Sequence, residues 1–222
     1  AGAAPLDDIL AKFPAKNQNE FKQLSLQVMQ LDEAGLDELC GRVRPPKEKG
    51  DTAARYAVNG LTKFVDMQGK EADRKKAVRA FIRALDKSKH VDVKAFFIRQ
   101  IQFIGQEEAV RPLSHYLKHL QLCEPVAQAF VAIQKPEASA ALLFALPTVK
   151  DRLKPTVIKA LGELKSRAAT LAILPYAESE DLNTRLMVYH AVANIGDPAA
   201  ENALKRALIQ TSGYERSQAL SV

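Results

Sequence analysis

The chain has 222 residues, of which 47% are apolar, 26% charged and only 6% aromatic, with no Trp. A chain of this length buries a core without metal or disulfide staples, and an apolar set rich in Ala and Leu suits close helix packing better than a β-sandwich. No run approaches the roughly 20 apolar residues needed to span a bilayer, and the net charge of +6 is small enough to exclude a chain that is basic throughout.

Residues 1–5 lack a basic stretch followed by an apolar core, so no signal peptide is read there. Segments 6–13, 20–31 and 33–43 read as helices that form an irregular N-terminal cap over residues 1–45. Segment 44–51, with Pro45, Pro46 and Gly50 among charged residues, is the one long loop. After it, 52–67 and 71–87 read as a pair of long helices, the second with an apolar arc of Val78, Phe81 and Leu85.

From residue 93 onward a helix–turn–helix phrase recurs, with turns at Gly105, Gln134, Gly162 and Gly196. In the first copy Phe97, Ile101 and Ile104 recur at i, i+4 and i+7, which predicts one buried stripe. Gly105, Gly162 and Gly196 are expected to end their helices in the left-handed conformation that glycine adopts cheaply. Pro136 and Pro198 open the following helices, where a missing N–H costs nothing, and Asp197 is placed to cap. The second helix of the first copy is expected to continue through Val110, Leu113, Leu117 and Leu120. One such pair cannot bury its apolar faces alone, so neighbouring pairs must stack. Residues 214–220 read as the opening of a further helix, which predicts an array that continues beyond the sequence in hand. No segment alternates as a strand does, and the expected fold class is all-α.

At these residues the chain resembles the HEAT-repeat superfamily, and most closely its short bacterial type that also occurs in phycobilisome lyases. The matching phrase is a first helix ending in Ile or Leu and then Gly, followed by a second helix led by Pro or Ala with a central Leu. The resemblance covers residues 52–222. It implies a right-handed α-α superhelix, an α-solenoid of antiparallel helix pairs, with the second helix of each pair lining the inner surface. It also implies a role in protein–protein contact, and an exported or periplasmic location with a cytoplasmic one as the alternative.

The basic excess is local. Residues 70–120 hold twelve Lys/Arg against six Asp/Glu, which accounts for the whole net charge. On a helical wheel Lys75, Lys76, Arg79, Arg83 and Lys87 fall within about 120° opposite the apolar arc, and Lys75, Arg79 and Arg83 head the candidate contact residues. Arg111, His115 and Lys118, at i, i+4 and i+7, form a second candidate ridge. The stripe suits phosphates or an acidic protein surface, with an ordinary solvated helix face as the simpler account of it, and the ridge suits contact inside the curve.

His115 and His119 share the i, i+4 spacing of helical metal ligands, but the intervening Tyr116, Leu117 and Lys118 supply no HExxH glutamate. Cys40 and Cys123 lie far apart outside any CxxC pattern, which argues against zinc and leaves a buried thiol at each position or one long-range disulfide. His190 reads as a packed or half-buried side chain. The sequence contains no GxSxG, GxxxxGK[ST] or GxGxxG, and no cofactor is expected. The expected function is a non-catalytic scaffold for a protein or peptide. Two other classes remain open: a DNA-binding protein similar to the HEAT-like alkylpurine DNA glycosylases, and an accessory protein similar to the tetrapyrrole lyases. The absence of Trp weighs against the first.

Overall fold

A computed structural model describes residues 5–68, 71–210 and 213. Every regular element among them is helical, α-helix or short 3-10 turn, and none is a strand. The chain divides into two compact units, Ala1–Ala109 and Val110–Val222.

The first unit contains α1 (Leu6–Leu10), α2 (Gln18–Gln30), α3 (Glu33–Gly41), α4 (Thr52–Gln68), α5 (Glu71–Lys87) and α6 (Val91–Ile104). Side-chain caps start two of them. Asn17 accepts from the Glu20 N–H at 2.9 Å, and Asp32 accepts from the Gly35 N–H at 2.8 Å, each satisfying a donor that the helix leaves unpaired. The charged loop before α4 is closed on itself. Asp51 accepts from the Arg44 N–H at 3.0 Å and from Arg55 at 2.5 Å, and Arg55 also donates to the Arg44 carbonyl at 2.6 Å. The Arg55 guanidinium sits 4.7 Å from the centre of the Phe96 ring, a cation–π contact that ties the start of α4 to α6.

Alternate helices pack on one another in this unit, α2 on α4 and α4 on α6 in one row, α3 on α5 in the other, with α5 bridging to α4 and α6. That pattern is the signature of stacked helix pairs, in which each repeat touches its neighbours. The core between the rows holds Val58, Leu61, Phe81, Leu85, Phe97 and Ile101, all fully buried. Phe81 and Phe97 meet with ring centres 5.8 Å apart. Burial of each such side chain contributes about 1.5–3 kcal/mol.

After α7 (Glu107–Ser114) and a 3-10 turn (His115–Lys118), the second unit continues with α8 (Cys123–Ile133), α9 (Pro136–Ala145), α10 (Lys154–Glu163), α11 (Thr170–Ile173), α12 (Leu182–Ile195) and α13 (Glu201–Gln210). Here α10 packs against both α8 and α12, and α9 against α8 and α10. Phe130, Leu142, Ile158, Leu161 and Val188 are fully buried between them.

Of the three glycines expected in the left-handed conformation, one takes it. Gly196 ends α12 at φ 65°, and Asp197 accepts from the Ala199 N–H at 3.0 Å with Pro198 in the first turn of the next segment. Gln134 takes the left-handed position itself, at φ 52°. The other two glycines serve a different purpose. Gly162 lies inside α10, and a Cβ there would stand 2.6 Å from Ala191 Cα on α12, so glycine is required for the helices to approach. The left-handed residue of that turn is Lys165, at φ 51°. Gly105 is extended at φ −71°, and a Cβ would meet the Ile101 carbonyl oxygen at 2.6 Å.

One second helix is also shorter than the apolar spacing predicts. The helix expected to run to Leu120 stops at Ser114, two residues after Pro112, and gives way to the 3-10 turn, which leaves Leu120 exposed. Pro112 lies inside this helix and lacks the N–H that would bond the Glu108 carbonyl, which weakens a short helix. The segment after Gly162 breaks into a 3-10 turn (Arg167–Ala169), the single turn of α11 and another 3-10 turn (Leu174–Glu178) that contains Pro175. Cys40 and Cys123 are both free and buried. The further helix expected at 214–220 lies outside the described residues.

Candidate functional site

The basic face of α5 is divided in two by the fold. α5 buries Ala77, Val78, Phe81 and Leu85 on one side, which turns part of its basic stripe against α2 and α3. Lys76 donates to the Met29 and Leu31 carbonyls at 3.1 and 2.6 Å, pairing oxygens at the end of α2. Arg83 donates to Asp37 at 2.8 Å and faces Glu33 at 3.6 Å, and Lys87 donates to Asp37 at 2.7 Å. Burial alone would push the Asp37 carboxyl up, but hydrogen bonds from Lys87 and Arg83 more than offset it and hold the group below its ordinary value. Lys75 is exposed and faces Glu71 at 3.2 Å. Arg79 is exposed, with no ion-pair partner among the described residues. The stripe is therefore in part a brace between helices, with Lys75, Arg79 and Lys87 exposed and only Lys76 and Arg83 drawn well into the packing.

Arg74, on the opposite side of the same turn, was not singled out by the sequence reading. It is buried and donates to the Ile104 carbonyl at 2.7 Å, to Glu108 at 2.5 Å and to Glu71 at 2.7 and 2.9 Å. It closes the end of α6, a structural task.

Arg111, His115 and Lys118 are all exposed, but they do not share one helical ridge. Arg111 is on α7, and the break after Ser114 puts His115 and Lys118 on the 3-10 turn. His115 lies against Tyr116 with ring centres 4.0 Å apart. His119 is in extended backbone and its Nδ1 accepts from the Gln121 N–H at 3.3 Å, so the i, i+4 spacing does not make a metal pair. Among the described residues no three His, Cys, Asp or Glu side chains are grouped to hold a metal ion. His190 is half-buried on α12.

A different set of residues forms a concave site between α4 and α6. On α4, Tyr56, Asn59, Lys63 and Asp66 recur at helical spacing along one face, and Thr62 borders them. Together with Gln100 and Phe103 of α6 they line a cleft of about 340 Å³. Its floor is polar and buried. Thr62 Oγ1 lies 2.8 Å from Gln100 Oε1 and 3.1 Å from the Val58 carbonyl oxygen. A hydroxyl has one proton, so it donates to one of these two oxygens. Donation to Val58, the usual back-bond of a helical Thr, requires the Gln100 amide to turn its NH2 toward Thr62 and its carbonyl outward. In either arrangement one end of a side chain that is only 5% exposed has no protein partner among the described residues.

The walls are aromatic and open, with Tyr56 49% and Phe103 70% exposed. A second cleft of about 320 Å³ shares Tyr56, Asn59 and Lys63 and continues to Phe13, Pro14 and Phe21. Gly60 lets α4 lie close to α2 here, since a Cβ would stand 3.3 Å from Ser25 Oγ and 3.5 Å from the Phe21 ring. The sequence contained one sign of this site. Phe103 falls outside the stripe of Phe97, Ile101 and Ile104, an aromatic residue on the face of α6 where polar residues are expected. In the second unit Phe144 on α9 and Leu171 on α11 are likewise outward, 81% and 74% exposed.

Residues 140–222 match the family of HEAT repeats. No curated protein matches the chain. Among solved structures, the complex of CpcE and CpcF of phycocyanin lyase from Nostoc sp. PCC7120 is similar at 16% identity and a TM-score of 0.42, over 100% of this chain and 94% of that one. An engineered protein is similar at 14% identity and a TM-score of 0.36, over 97% and 93% of the two chains.

Proposed function

We propose that this chain, with HEAT repeats over residues 140–222, is a non-catalytic scaffold that binds a protein or peptide segment on the outward faces of its helices. The observation that carries the reading is the placement of large apolar side chains in water. Phe103 and Phe144 stand on regular helices and Leu171 on the single turn of α11, and the other faces of these elements already fill the cores. Desolvating such a side chain against a partner is favourable, whereas leaving it in water gives the fold nothing.

The nucleic-acid reading draws less support. Binding to a phosphate backbone scales with the number of cations that reach it, and Lys76, Arg83 and Lys87 are held by carbonyls and by Asp37. Chemical crosslinking of the full chain in extracts of its own source tests the scaffold reading. A saturable protein adduct, reduced when Phe103 and Phe144 are replaced by Ala, is the expected outcome. Absence of any protein adduct would contradict it.

A further inference from the structure

Resting on the scaffold reading, the geometry points to the α4–α6 cleft as the binding site for a proline-rich segment in the polyproline II conformation. Three features select this occupant. First, polyproline II forms no internal hydrogen bonds, so its carbonyls look outward for donors. The cleft offers two side-chain amides: Asn59 on the wall, whose NH2 group is in no observed hydrogen bond, and Gln100 on the floor, whose NH2 group faces the cleft when Thr62 donates to its carbonyl. Second, proline rings pack on aromatic faces, and Tyr56 and Phe103 supply two rings that the fold leaves open. Third, the cleft carries one Lys and one Asp, Lys63 and Asp66, and so no net charge. That suits an uncharged chain and disfavours the phosphates of a nucleic acid, which need a run of cations.

The dimensions agree. From Tyr56 to Asp66, α4 rises about 15 Å at 1.5 Å per residue, the length of about five residues of polyproline II at 3.1 Å each. The ordering entropy of such a segment is small because it is already extended before it docks. The adjoining cleft past Tyr56, toward Phe13 and Phe21, lets the segment continue.

The test is fluorescence anisotropy with the full chain and three labelled probes: decaproline, a Gly–Ser peptide of equal length, and a single-stranded oligothymidylate. Saturable binding of decaproline, about tenfold tighter than that of the Gly–Ser peptide, is expected. Phe103→Ala and Asn59→Ala should each weaken it about fivefold or more, while Leu120→Ala, at an exposed position outside the cleft, leaves it unchanged. Phe103 is mostly in water, so its removal should leave the thermal midpoint where it was, which separates lost binding from lost folding. No saturable binding of decaproline, equal binding by Phe103→Ala, or tighter binding of oligothymidylate would each overturn the assignment. Crosslinking separates this failure from that of the scaffold reading. A protein adduct that persists without decaproline binding leaves the scaffold standing and removes only the cleft.

Discussion

Thr62 on α4 and Gln100 on α6 meet at 2.8 Å in a buried contact that forms the floor of an open cleft. Their pairing links the packing of two neighbouring helices to the chemistry presented to a ligand. Removing one partner leaves the other buried and unpaired, which costs about 1–3 kcal/mol. Thr62→Val should therefore destabilise the chain within that range in urea denaturation. The double variant Thr62→Val with Gln100→Leu should recover part of the loss, because two apolar side chains then face each other. A double variant less stable than the sum of the two singles would contradict the pairing.

Gly162 and Gly41 should respond in opposite directions to the same change. A Cβ at Gly162 meets Ala191 Cα at 2.6 Å, between two packed backbones. Gly162→Ala should cost about 1–3 kcal/mol, as overpacking does. Gly41 has open space around it, so Gly41→Ala should be neutral or stabilise by about 0.5 kcal/mol through loss of freedom in the unfolded chain. Thermal denaturation of the two single variants measures both.

Asp37 makes a prediction in pH. Its carboxyl is held below the ordinary value of 3.8 in the folded chain despite the opposing effect of burial, because Lys87 and Arg83 donate to it. A carboxyl with a depressed folded value stabilises the fold above its unfolded value and loses that contribution as pH falls through the folded one. Asp37→Asn should lower stability by about 1 kcal/mol near neutrality, a modest figure because Lys87 is largely in solvent. The gap between wild type and variant should stay constant at neutral pH and close below pH 3.8. A gap that widens on acidification would show that the carboxylate is not the stabilising form.

The two thiols should be inert in the folded chain. Burial, with a smaller contribution from Asp37, pushes Cys40 up to about 12, and burial with Glu124 pushes Cys123 up to about 11. The thiolate is the reactive species, and it is scarce at both sites. Iodoacetamide at mildly alkaline pH should label neither Cys until denaturant is added, which mass spectrometry of the intact chain would follow.

Helix existence was legible wherever apolar spacing was the only force at work. The range 71–87 coincides with α5, since the arc of Val78, Phe81 and Leu85 lies along an uninterrupted helix former. Periodicity misleads where a local feature outranks it. α7 carries Pro112 and ends at Ser114 although its apolar residues keep the spacing to Leu120, and Pro175 lies in the 3-10 turn that follows the single turn of α11. Gly162 looked like a turn glycine because tertiary packing and left-handed backbone both demand the same residue, and sequence alone does not separate them. The contact residues were the least legible. Charge on a helix face shows in a wheel diagram, but whether Arg83 meets solvent or Asp37 depends on α3, 46 residues away. The cleft was hidden for the opposite reason. Its residues come from two helices and are unremarkable singly, and only Phe103, off the buried stripe of α6, betrayed it.

On the proposed function, the scaffold binds through the aromatic cleft of α4 and α6 and not through the basic face of α5. Copurification with the full chain as bait, comparing Tyr56→Ala with Phe103→Ala against Lys75→Glu with Arg79→Glu, tests it most directly. Loss of the bound protein in the aromatic double variant, with retention in the charge-reversed one, is the expected result. Retention by the aromatic variant and loss on charge reversal would contradict it.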